Sequence, residues 1–180
     1  MGLDITAYSN ARKLDALYNE DGEPVDPVTR EPFEDDNVTT AYLNDDFPGR
    51  ADEFTHKGVY AYDEAYGFRA GSYGGYNHWR EQLAALAGYP AVQTTRFGGS
   101  VETRHDAGAW AADAGPFYEM IHFSDCEGVI GTAVAAKLLK DFDDNREKAV
   151  EIGDDYFLSK YDEWRTAFEL AAHDGFVAFH

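Results

Sequence analysis

Bases, cysteine and long apolar runs are what this chain of 180 residues is short of. Fifteen Lys and Arg stand against 34 Asp and Glu, a formal charge of −19. Such a field repels nucleic-acid backbones and anionic membranes, which all but excludes a general DNA or RNA binder. A single cysteine, Cys126, excludes an intramolecular disulfide framework and any zinc site with two or more thiolates. The longest apolar run, Gly128 to Ala136, is too short to cross a bilayer. The start MGLDITAYS lacks the basic segment of a secretory signal, so a cytoplasmic setting with no membrane partner is expected. It also fits the loose myristoylation pattern. Leu3, Ile5 and Ala7 nevertheless alternate as in a core-facing strand, the preferred reading.

Motifs of metal and nucleophilic chemistry are scarce too. Histidines 56, 78, 105, 122, 173 and 180 show no spaced ligand pattern, and no Gly-x-Ser-x-Gly elbow occurs. Asp141-Phe-Asp-Asp-Asn145 imitates the opening of an EF-hand loop. Arg146 then stands where that loop needs glycine, and Ile152 where it needs a bidentate glutamate. No dinucleotide or P-loop fingerprint is present, and no cofactor is expected.

What is there is unevenly distributed. Residues 1–60 hold 14 acids and 5 bases, residues 121–180 hold 13 and 6, and residues 61–120 only 7 and 4. The bases of the middle third are all arginine: Arg69, Arg80, Arg96 and Arg104. An anion-accepting face would come from this third. The acidity elsewhere fits either mimicry of a nucleic-acid backbone or an acid-biased host proteome.

The length predicts one domain over 1–180, with an acidic, proline-rich loop at about 19–37. Leu3–Tyr8, Val38–Leu43 and Val59–Tyr62 read as strands, and Phe68–Ala70 is expected to pair back on Val59–Tyr62. Residues 10–18 fit a short helix or a further strand. A helix is expected over Asn77–Leu86, with Asn77 as N-cap and Gly88 as its end. Thr94–Arg104 reads as a hairpin, Asp106–Ala114 as a short helix, and apolar Phe117–Phe123 as a central strand. Ile130, Val134, Leu138 and Phe142 form one helical stripe. Phe157, Tyr161, Trp164, Phe168 and Ala171 form another, before a last strand at Phe176–Phe179. Clustered strands followed by helices point to α+β: a curved, mostly antiparallel sheet covered by two or three C-terminal helices.

Two segments carry candidate chemistry. In Arg69-Ala-Gly-Ser-Tyr-Gly-Gly-Tyr-Asn-His-Trp-Arg80, glycines permit close backbone approach, Tyr73 and Tyr76 offer stacking faces, and Arg69 and Arg80 offer bidentate contacts to phosphate or carboxylate. Ser72 and Asn77 add polar contacts. A tight strand-to-helix turn explains Trp79, Asn77 and the glycines, but not two arginines and two tyrosines together. In Ser124-Asp-Cys-Glu127, Ser124 and Glu127 are spaced as a capping box, the favoured structural role. Asp125 and Glu127 alternatively accept hydrogen bonds from ribose hydroxyls, and either is a possible general base. Cys126 is read as structural.

The start MGLDITAY, Phe47-Pro-Gly-Arg50, the run FRAGSYGGYN with Trp79-Arg80, the run FSDCEGVIG and the tail from Trp164 resemble a family of uncharacterised proteins from tailed phages and prophages. The resemblance covers most of the chain and carries no named activity. It implies a viral accessory protein in the bacterial cytoplasm. The leading expectation is a binding protein that captures a small nucleotide-like ligand between residues 69–80 and 124–128, as counter-defence proteins do. Alternatives are an acidic mimic that occupies a host defence protein's nucleic-acid groove, and a nucleotide hydrolase using Asp125 or Glu127. A second copy of the chain is a further possible partner.

Overall fold

A computed structural model describes residues 2–33, 37–95 and 98–180. The chain is α+β, with open antiparallel sheets and helices late in the sequence. Its main sheet runs in the order β10 (Gly128–Gly131), β11 (Phe176–Phe179), β1 (Gly2–Tyr8), β7 (Ala65–Ser72), antiparallel throughout. The two-residue period of these strands sorts their side chains onto two faces. Leu3, Ile5, Ala7, Ile130, Val177 and Phe179 enter one core. Tyr8, Val129, Phe176 and Ala178 enter another. Strand β11, central and buried on both faces, accordingly reads as the unbroken apolar run FVAF.

Helices α1 (Tyr73–Ala87), α4 (Thr132–Asp144) and α6 (Asp155–Ala171) cover the first face. The α6 stripe Phe157, Tyr161, Trp164, Phe168 and Ala171 is wholly buried there. Trp164 lies near-parallel to Tyr76 at 5.6 Å, Trp79 at 6.1 Å and Phe168 at 5.7 Å. Burying each such ring contributes roughly 1.5–3 kcal/mol. On the second face, a small sheet β2 (Arg12–Lys13), β6 (Gly58–Ala61), β5 (Val38–Ala41) sets Tyr60 against Phe176, with Phe54 beside it. Two hairpins, β3 (Leu17–Tyr18) with β4 (Pro24–Val25) and β8 (Val92–Thr95) with β9 (Val101–Arg104), and three short helices, α2 (His105–Trp110), α3 (Tyr118–Ile121) and α5 (Arg146–Glu151), complete it.

Several expectations are corrected. Strand β7 pairs with β1 rather than with β6, because Phe68 is drawn to the helix side, edge-on to Trp164 at 5.1 Å. Phe117–Phe123 is no strand: Phe117 takes a left-handed φ of 57° and opens α3, with Phe117, Met120, Ile121 and Phe123 all buried. A short apolar run has no periodicity to tell a buried strand from a buried helical turn. Helix α1 starts four residues before Asn77, and its cap is Ser72, whose hydroxyl accepts from the Gly75 N–H at 3.1 Å. Gly88 ends it as expected, at φ 84°. Ile130 belongs to β10, not to the helix that carries Leu138 and Phe142. Residues 10–18 hold the two short strands β2 and β3 rather than a helix, and the loop after them folds into the β3–β4 hairpin and a bridge from Val25 to Pro32. Positions 34–36 of that acidic loop, and Arg96 in the second hairpin, lie outside the described residues. No helix among the described residues is long and apolar enough to cross a membrane.

Candidate functional site

Helix α1 presents two faces. Tyr76, Trp79 and Leu83 enter the aromatic core, while Asn77, His78 and Glu81 face a cleft of about 990 Å³. That volume lies at the upper end of the range of small-molecule sites. The opposite wall comes from the end of β9 and from α2, which contribute Glu102, Thr103, Arg104, Asp106 and Trp110. The floor is the segment leaving α3, His122 to Glu127, and the rim is Asn44, Asp46 and Phe47.

Each wall is held by side chains that leave an apolar packing problem solved and a polar one satisfied. Arg80, only 4% exposed, donates through Nη1 to the carbonyls of Phe123 at 2.6 Å and Ile121 at 3.3 Å, and through Nη2 to Asn77 Oδ1. Its guanidinium lies 4.6 Å from the ring centre of Tyr76. Asn77 passes the connection on, donating from Nδ2 to Asp125 Oδ2 at 2.8 Å. The chain Arg80–Asn77–Asp125 thus fastens the floor to α1. Glu81 accepts from the backbone N–H groups of both His105 and Asp106 at 2.8 Å, which ties α2 to α1 by its first turn. Arg104 is clasped by Asp106 and Glu102, and the Asp106 hydrogen bond raises its pKa above the usual arginine value.

The floor turns sharply. The Ser124 hydroxyl accepts from the N–H groups of Cys126 and Glu127, a serine turn followed by β10 rather than by the helix a capping box requires. Gly128 takes φ +119°, and a Cβ there would lie 2.8 Å from Asn44 Cβ and 2.9 Å from Phe123 Cζ, so only glycine fits. Asn44 donates to the Glu127 carbonyl at 3.2 Å and fastens the rim to the floor. His122 Nδ1 lies 3.2 Å from the Tyr118 hydroxyl, with Phe47 edge-on to its ring at 5.7 Å. Burial first, then the Arg50 and Arg80 guanidiniums, hold the His122 imidazole below its ordinary pKa. Cys126 is exposed, its sulfur 3.4 Å from Ser124 Oγ.

Trp110 is the exposed one of the three tryptophans. Its indole is 54% exposed beside the cavity, while Nε1 donates to the Ile121 carbonyl at 3.1 Å and fixes the ring's orientation. Five of the nine residues singled out in the sequence line this cleft: Asn77, Arg80, Ser124, Asp125 and Glu127. The other four do not. Arg69 lies on edge strand β7, 60% exposed and paired with Asp4 at 3.3 Å. Ser72 is the helix cap, Tyr73 packs on the core, and Tyr76 is fully buried, its hydroxyl pushed up to about 12 chiefly by desolvation. Sequence reasoning missed Trp110, Phe47, Asp46 and Glu81. Trp110 did carry a signal: only alanine and aspartate stand three and four places either side of it, so no large apolar partner claims it within its own helix.

Among the described residues, no three His, Cys, Asp or Glu side chains are grouped to hold a metal ion. Comparison with protein-family models, curated proteins and solved structures finds no match.

Proposed function

We propose that the chain is a binding protein whose cleft takes a small molecule with a flat, nucleoside-like ring and holds it unchanged. The observation that supports this most is Trp110. A half-exposed indole, locked through its own N–H, offers a fixed stacking face at the mouth of a preformed cavity. Stacking a base on such a face contributes roughly 1–3 kcal/mol. Around it the donors and acceptors that orient a ring are side chains already held in place, Asn77, Ser124 and Asp125 among them. This reading keeps the ring of a nucleotide-like ligand and drops the phosphate clamp built on Arg69, which lies on the sheet edge. The likeness to phage and prophage proteins supplies a setting for it: an accessory protein that withholds a small host molecule from the host's own receptors.

The test is calorimetry with adenosine, cyclic di-AMP and ADP-ribose. Adenosine is expected to bind, and Trp110→Ala to weaken it about tenfold or more. No heat with any of the three, or unchanged affinity in the Trp110 variant, overturns the reading.

A further inference from the structure

The charge lining the cleft narrows the class of ligand further. Six carboxylates line it, Asp46, Glu81, Glu102, Asp106, Asp125 and Glu127, against two guanidiniums. Both guanidiniums are already engaged. Arg104 is bridged by two carboxylates of its own wall, and Arg80 is turned to backbone carbonyls and Asn77 beneath Phe123. Of the acids, Glu81 is engaged by two N–H groups and Asp106 by Arg104. Asp46 and Glu127 carry no side-chain hydrogen bond or ion pair among the described residues, and Asp125 has one oxygen bonded, to Asn77. The two arginines are therefore consumed, while carboxylate acceptors and negative charge are left over.

Trp110 is an independent observation in the same direction. An indole face is the strongest aromatic acceptor of a cation, and this one is held open to the cavity rather than covered by the protein. His122, the remaining candidate for positive charge on the floor, is held toward its neutral form. Phosphate would enter against this field and find no uncommitted arginine among the described residues lining the cleft.

We propose that the cleft selects a small organic cation: a flat ring against Trp110, with an amidinium or ammonium group received by Asp46, Asp125 and Glu127. This rests on the cleft being a ligand site and adds the sign of the ligand. It makes the overall charge of −19 useful, because the long-range field concentrates cations at the cleft mouth.

Three probes of one shape and different charge test it on the whole protein: benzamidine, benzamide and benzoate, titrated calorimetrically at low and at physiological salt. Benzamidine is expected to bind about tenfold tighter than benzamide, with benzoate undetected. Trp110→Ala is expected to abolish this binding. Asp46→Asn combined with Glu127→Gln removes two exposed charges that support no fold contact, and is expected to bring benzamidine down to benzamide's affinity. Equal binding of all three probes, dependent on Trp110, overturns the charge assignment and leaves the cleft standing. So does Trp110-dependent adenosine binding with no response to benzamidine. Benzamidine binding that ignores both variants is surface attraction to an acidic protein and overturns the proposal. Silence from every probe, adenosine included, overturns the cleft as well.

Discussion

The two faces of α1 are made from one stretch of chain and meet opposite environments. On the core face, Tyr76, Trp79 and Leu83 are wholly or almost wholly out of solvent and pack against Trp164 and Phe157. On the cleft face, Asn77, His78 and Glu81 border a cavity in which the unpaired charge is negative. The core face is stabilised by area, without direction. The cleft face is organised by hydrogen bonds that each have one geometry. Arg80 belongs to both, lying over Tyr76 while reaching the carbonyls of the cleft floor. The residue types that suggest a ligand in the sequence are thus divided between holding the fold and shaping the site.

That contrast is broken most severely from the core side. Trp164→Ala is expected to cost about 3–5 kcal/mol, read by denaturant unfolding, because no neighbouring side chain can refill so large a space. Arg80→Ala comes next, at about 2–4 kcal/mol, since it strips the Ile121 and Phe123 carbonyls and Asn77 of their donor inside the protein. Arg69→Ala, its counterpart in the same sequence motif, is expected to stay within about 0.5 kcal/mol, because its ion pair with Asp4 is surface-exposed. Equal effects of the two arginine changes on thermal unfolding contradict the division of roles.

Glu81→Gln is expected to cost about 1 kcal/mol and to speed amide exchange at His105 and Asp106, whose N–H groups it holds. Protonation of His122 gives the smallest effect. Its folded pKa is lowered from 6.5, so its stabilising contribution is complete above pH 6.5 and is lost as pH falls through the lowered value. Unfolding measured from pH 7.5 to 5 should show a shallow loss in the native chain that His122→Gln reduces, the remainder including His180, whose pKa burial also lowers.

Much of the fold was legible from alternation and helical spacing. Strand β1 and the α6 stripe follow from periods of two and 3.6 residues, β11 from a short apolar run after Gly175, and the end of α1 from Gly88. What was not legible was decided by partners distant in the chain. Nothing local says that β7 finds β1 rather than β6, or that Phe117–Phe123 curls into α3 beneath Phe142. The glycines at 71, 74 and 75 disguised the first turn of α1, whose Tyr76 is paid back by packing on two tryptophans. For the site, the polar segment 124–127 lies beside Asn77 and Arg80 in the structure, and both stretches are rich in groups that need partners. Arg69 stands apart from the cleft because β7 is the edge strand of the main sheet, where it faces Asp4 of β1.

The central claim is that ligand meets the cleft face of α1 and not the motif as a whole. Its most direct test is a two-dimensional NMR titration with adenosine, following the indole N–H signals of the three tryptophans. Trp79 donates to the Phe157 carbonyl inside the core and Trp164 is buried, whereas Trp110 borders the cleft. The account predicts that the Trp110 signal moves with ligand concentration while the other two stay in place. A stationary Trp110 signal, with shifts gathered instead at the backbone amides of Arg69 to Tyr73, contradicts it.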